Sequence, residues 1–448
     1  MKIVEMKQII SNEKVYPSSP TPHKLQTYKI SMLDQANAPM PVPIIMYFPS
    51  NPKSSADTTF ETRVQLLKSS LSVILTRFYP LAGRISKDGR SIDCKDEGVP
   101  FVVAKIEGKM MTDSRYNQAR GPAQPCLLPL EIRWDTELGP GDNVAMIQVN
   151  HFECGGIAIG VVFWHKMGDA VTMINFMDSW AATARGSNKE CICPNYLFQH
   201  LLPQNEEMQT QDGSLRPLLR VGKSVMRRFV FDSSAIKKLK EKSLVERPSR
   251  VEVVSALIWK CFMAASLAND KSTSLVTHAV NLRRRSQLPF ASDCFGNFGG
   301  MAAASCTNGN EMDLGHLVRE IRDAISKVND DYVTRILGDQ GFLGYCKNLE
   351  ETWSNIPKEA DFICISSWCN FGIYNVDFGW GKPIWVTRSD SGGDSESYFL
   401  NVVWLMDTRN GDGVEAWVTL EEKYMQVFDQ IEELQTLASI DPNPVNSN

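Results

Sequence analysis

The sequence predicts a mixed α/β (α+β) chain built as two sandwiched domains. Three observations carry that expectation. Helical and strand-like periods recur in both halves without strict alternation. A polar stretch, Pro203 to Gly222, parts halves of nearly equal length. The chain of 448 residues is 43% hydrophobic, enough for a large core and too long for a single one. The expected division is 1–202, a linker at 203–222, and 223–448.

In the first half, Val64, Leu67, Leu71, Ile74, Leu75 and Phe78 recur at helical spacing between Phe60 and Tyr79, and Pro80 stops the run. Asn143 to Val149 and Ile157 to Trp164 are apolar and β-branched. They predict paired strands joined by the turn Glu153-Cys154-Gly155-Gly156. In that hairpin His151 lies by the turn and His165 at the far end, so the two histidines do not share a site. Asp169 then precedes Ala170 to Ala184, with Val171, Ile174, Met177 and Ala181 on one face, which predicts a helix capped by Asp169.

The second half opens with helices at Val251–Leu267 and Leu314–Val328. Strands follow at Asp361–Trp368, Ile384–Thr387, Tyr398–Met406 and Val414–Leu420, the last two joined at Asn410-Gly411. The run Phe295 to Gly300 is expected to be a loop, since no strand precedes it as a dinucleotide motif requires.

Composition excludes several partners. A net charge of -5 gives no basic footprint for nucleic acid. The run Ile157–Trp164, broken by Gly160, is far shorter than the roughly 20 residues of a membrane span. The first residues have no apolar core of signal-peptide length and the last match no address signal, so a cytoplasmic protein is expected. Eleven scattered cysteines predict reduced core thiols. A metal site is not expected, because His165 and Asp169 lack a third ligand nearby. No Gly-x-Ser-x-Gly elbow supports a serine hydrolase.

The chemistry concentrates at His165-Lys166-Met167-Gly168-Asp169. A histidine fixed where a strand stops and a helix starts is well placed as a general base, since neutral imidazole titrates near working pH. Together with Phe78-Tyr79-Pro80-Leu81-Ala82-Gly83-Arg84, Val280-Asn281-Leu282-Arg283, Phe295-Gly296-Asn297 and Asp377-Phe378-Gly379-Trp380-Gly381, this motif resembles the plant BAHD acyltransferases, which move an acyl group from a CoA thioester to an alcohol or amine. The resemblance spans most of the chain and is strongest with the vinorine synthase-like clade. It implies two chloramphenicol-acetyltransferase-like domains with mixed sheets flanked by helices and a solvent channel between them. It also implies acyl-CoA as co-substrate with no tightly bound cofactor, a small-molecule acceptor, and a monomer.

A thioester is already activated, so only a base is needed to take the acceptor proton, and His165 Nε2 fills that role. The oxyanion that forms needs preorganised donors. The resemblance places Trp380 near this chemistry; packing at a tight Gly-Trp-Gly turn is the alternative. Asp169 is expected to be structural, turned into its own helix, and the resemblance implies a salt bridge to Arg283. Asp377, with Gly379 and Gly381, is expected to hold a glycine-rich turn.

Ser249 and Arg250, opening a helix, are candidates for a CoA phosphate. An N-cap beside a solvated arginine is the equal alternative. Cys294-Phe295-Gly296-Asn297-Phe298 departs from the Tyr-Phe-Gly-Asn-Cys of members that use malonyl-CoA, so acetyl-CoA is the expected donor. The expected acceptor is a hydroxyl of an alkaloid or terpenoid. N-acylation, or a longer or aromatic acyl group, is the alternative.

Overall fold

The computed structural model describes residues 7–50, 59–110, 124–187, 191–208, 219–288, 291–307, 313–354, 357, 359–388 and 397–444. Much of the expected linker, residues 209–218, lies outside these. The chain divides into two compact units. One comprises Met1–Pro217, Ser292–Asn297 and Gly372–Ser391; the other comprises Leu218–Ala291, Phe298–Phe371 and Gly392–Asn448. The Asp377–Gly381 motif, expected in the C-terminal domain, therefore belongs to the first unit. The cause is backbone pairing: Trp385–Thr387 adds to the first unit's sheet alongside Tyr47, Met46 and Ile45.

The first unit is built on a six-stranded mixed sheet in the order Lys7–Val15, Val99–Ile106, Ala145–Phe152, Ile157–Trp164, Pro41–Phe48, Trp385–Thr387. Pro41–Phe48 and Ile157–Trp164 are buried at every position, which suits central strands covered on both faces. Gly160 admits a close approach there, because a Cβ would stand 2.3 Å from the Leu127 carbonyl oxygen. The hairpin register pairs His151 with Ile157 and Ala145 with Phe163, so His151 sits at the turn and His165 emerges at the opposite end.

Helices Phe60–Leu75 and Ala170–Ala184 pack on each other. Trp180 fastens them, its Nε1 donating to the Leu67 carbonyl and to Ser70 Oγ, both at 3.1 Å. The first of these helices ends before Tyr79, because Pro80 sits in a separate 3-10 turn, Tyr79–Ala82.

The second unit carries a seven-stranded mixed sheet in the order Gly299–Thr307, Thr273–Asn281, Asp361–Ser367, Val402–Asp407, Val414–Glu421, Ser224–Phe231, Ser439–Ile440. Two expectations change here. The Phe295–Gly300 run is a loop only up to Phe298, since Gly299 and Gly300 already pair with Asn281 and Val280. Tyr398–Met406 is two strands: Ser397–Phe399 pairs with Arg220–Gly222, and buried Asn401 breaks the run, its carbonyl accepting from Cys364 N at 2.9 Å.

The cysteines are all free, but Cys154, Cys193 and Cys346 are exposed rather than in the core. Among the described residues, no helix is long and apolar enough to cross a membrane, and no group of three or more His, Cys, Asp or Glu is placed to hold a metal ion.

Candidate active site

His165 opens a single 3-10 turn, His165–Met167, at the end of the Ile157–Trp164 strand. Its backbone is held from both sides. The amide donates to the Met40 carbonyl at 2.9 Å. The carbonyl accepts from Asn297 Nδ2 at 2.8 Å and from Gly168 N at 3.3 Å. His165 is partly accessible, but Nδ1 is sealed from solvent and has no hydrogen-bond partner among the described residues.

Burial pushes the imidazole pKa down, and the nearby Arg388 charge pushes the same way. The residue's own carbonyl, the Asp169 charge and the Asn297 amide oppose this more weakly. The result is a ring kept neutral near pH 7, with a basic nitrogen to offer.

The sequence after His165 fixes this geometry locally. Asp169 Oδ1 accepts from Thr172 N at 3.0 Å, so Asp169 caps the Ala170–Ala184 helix as its position predicts. Gly168 must be small, since a Cβ would stand 2.6 Å from Thr172 Cγ2. Thr172 Oγ1 donates to the Gly296 carbonyl at 2.9 Å and lies 3.1 Å from Gly296 N, which pins the Phe295-Gly296-Asn297 loop to this helix. Buried Lys166 turns away from the site, its Nζ donating to the Gln35 carbonyl at 2.6 Å.

Three residues that sequence analysis did not assign to the site surround the histidine. Asn297 was visible only as part of a motif. Asp34 is fully buried and forms a capping box with Ser31 on the short helix Met32–Gln35. Asp34 Oδ1 accepts from Asn297 N at 2.6 Å and Asn297 Nδ2 at 2.7 Å, while Oδ2 accepts from Ser31 N and Ser31 Oγ, each at 2.8 Å. Burial outweighs these four donors and raises the Asp34 pKa to about 6. Arg388 arrives because its segment runs antiparallel to Pro41–Phe48, toward the Pro41 end, and Pro41 pairs with Trp164. The capping pattern Ser31-x-x-Asp34 was the one local signal for Asp34.

Trp380 is elsewhere, which corrects its expected place at the chemistry. It stacks on Phe378 with ring centroids 5.5 Å apart, meets Phe48 edge-on at 6.4 Å, and lies under the Arg63 guanidinium at 5.5 Å. Phe48 pairs with Ile157, the opposite end of the strand from His165. Seven residue steps at about 3.3 Å place these ends some 23 Å apart. Packing accounts for its position, the alternative that the tight Gly-Trp-Gly turn offered. Asp377 organises the same turn, Oδ1 accepting from Gly379 N at 2.8 Å and Gly381 N at 2.9 Å, with both glycines at positive φ. Arg185 donates to the Asp377 carbonyl.

In the second unit, Ser249 is an N-cap within a capping box with Glu252. The Arg250 guanidinium is taken up by Asp407 Oδ1, Asn370 Oδ1 and the Gly411 and Gly413 carbonyls. With a carboxylate in the first turn and the guanidinium already engaged, the capping reading is favoured over a CoA phosphate site. Arg283 is buried in the 3-10 turn Leu282–Arg284, its amide donating to Asn281 Oδ1 at 3.0 Å.

The two-unit mixed α/β fold presents a neutral histidine at a strand end, able to act as a base, and comparison with known proteins gives the class. The Transferase family model matches residues 5–435, and the chain belongs to that family, the BAHD acyltransferases. It is 39% identical to limonoid 7-O-acetyltransferase from Citrus sinensis, over 98% of this chain and 99% of that one. It is 40% identical to epi-neemfruitin B 7-O-acetyltransferase from Melia azedarach over the same shares. The solved structure of vinorine synthase superposes with a TM-score of 0.83 at 33% identity, covering 99% of this chain and 100% of that one. The F. sporotrichioides TRI101 structure with coenzyme A and T-2, at 19% identity and a TM-score of 0.69, shares the fold.

Proposed function

We propose that the chain transfers an acetyl group from acetyl-CoA to a hydroxyl of a plant specialised metabolite, of the limonoid, terpenoid or alkaloid kind, with His165 as general base. The observation that carries this reading is the conjunction of near-full-length O-acetyltransferase relatives with an intact, neutral, partly accessible imidazole at the motif.

In the reaction, His165 Nε2 takes the acceptor O–H proton as the oxygen attacks the thioester carbon. The tetrahedral intermediate collapses with cleavage of the C–S bond, and the proton on His165 passes to the departing thiolate, giving ester and free CoA. No covalent enzyme intermediate is required. Acyl-CoA is a co-substrate, with no tightly bound cofactor, and the enzyme works on this reading as a cytoplasmic monomer.

The test is a matrix of acyl-CoA donors against alcohol and amine acceptors, read by mass spectrometry. The expected result is an acetyl ester formed preferentially from acetyl-CoA. Amide products, or preferential use of longer or aromatic donors, would replace the acetyl-ester reading. Absence of any acyl product would overturn it altogether.

A further inference from the structure

Asp34 spends its two carboxylate oxygens differently. Oδ2 takes both donors of Ser31 and completes a local helix cap. Oδ1 takes nothing local. Among the described residues it accepts only from Asn297, through both backbone N and side-chain Nδ2. A cap needs one oxygen, so the second oxygen requires another explanation.

The amide chemistry supplies it. A carboxylate can only accept, so the face of the Asn297 carboxamide turned to Asp34 has to be its NH2 group. That leaves the second Nδ2 hydrogen for the His165 carbonyl, 2.8 Å away. Holding that carbonyl fixes the backbone from which the ring projects, and the ring's Nδ1 is sealed from solvent.

We infer that Asp34 is a positioning residue for catalysis, acting through Asn297 to fix the His165 carbonyl and so to hold the imidazole where it can take a proton. The surroundings make the relay stiff. Asp34 and Asn297 are both buried, the Gly296 backbone is tied to Thr172, and Lys166 ties the histidine's turn to the Asp34 helix through Gln35. The inference rests on His165 being the base, and the experiment separates the two claims.

Asp34→Asn, Asn297→Ala, Ser31→Ala and His165→Ala are compared for kcat, KM for acetyl-CoA, melting temperature and the imidazole nitrogen signals of 15N-histidine-labelled protein. His165 is assigned by the signals lost in His165→Ala. A carboxamide at 34 presents a donor on one edge, so it conflicts with either Ser31 N–H or Asn297 N–H. Asp34→Asn and Asn297→Ala are expected to lower kcat by about tenfold to a hundredfold, the scale of a misplaced catalytic group, while KM for acetyl-CoA moves less than about threefold. In both, the His165 imidazole nitrogen signals move from their parent positions. Ser31→Ala, which weakens only the cap, lowers the melting temperature and keeps kcat within about threefold.

If Asp34→Asn does not fold, Asn297→Ala carries the test alone, since it leaves the Ser31–Asp34 capping box intact. Parent-like kcat and unchanged His165 imidazole signals in a folded Asn297→Ala protein overturn the inference, provided that His165→Ala is inactive. Parent-like turnover by His165→Ala instead overturns the base assignment.

Discussion

The two ends of the Ile157–Trp164 strand face the same sheet and do different work. At the Trp164 end the strand delivers His165 into a ring of backbone hydrogen bonds, with a basic nitrogen left over. At the Ile157 end its neighbour Phe48 meets Phe378 and Trp380, an aromatic plug organised by Asp377. Both ends carry a conspicuous sequence motif. One presents a titratable group whose pKa is shifted by its surroundings, and the other presents rings whose partners are other rings. A motif's prominence therefore says little about chemistry; the partners of its side chains say more.

The largest expected effect belongs to the first end. His165→Ala should keep the parent melting temperature within a few degrees and lose at least the roughly 10²–10⁴-fold that a general base supplies, measured as kcat per folded molecule. Trp380→Ala should act on stability, lowering unfolding free energy by about 3 kcal/mol in denaturant titrations, as truncation of a buried tryptophan does. Asp377→Ala should cost less, about 1–2 kcal/mol, for the Gly379 and Gly381 amides left without an acceptor.

The smallest effect is a pH dependence. Because burial and Arg388 depress the His165 pKa below 6.5, the ring is already neutral at pH 7, so kcat/KM should be nearly flat from pH 7 to 8. It should fall as acid protonates the base, with a midpoint under 6.5. A midpoint above 7 would contradict the depressed pKa.

Local signals made one end legible and hid the other. Strand, turn, cap and helix from Ile157 to Ala184 follow from adjacent residues, and both His165 and Asp169 fall where periodicity and capping put them. Asp34, Asn297 and Arg388 reach His165 only through tertiary pairing, which no spacing rule encodes. Trp380 misled for the same reason. Its segment returns to the first sheet beside Pro41–Phe48, and that register, not the Gly-Trp-Gly sequence, decides which end of the strand it meets. Arg250 looked free because the residues that engage its guanidinium, from Asn370 to Gly413, lie more than a hundred positions away.

The division of labour between the two ends is tested most directly by the turnover of Trp380→Ala. Acetyl transfer is measured with saturating acetyl-CoA, at a temperature well below the variant's melting point, and normalised to folded protein. With Trp380 some 23 Å along the strand from His165 at about 3.3 Å per residue, kcat is predicted to stay within about threefold of the parent. A fall of about a hundredfold or more in protein that remains folded would put Trp380 at the chemistry and contradict the separation of the two ends.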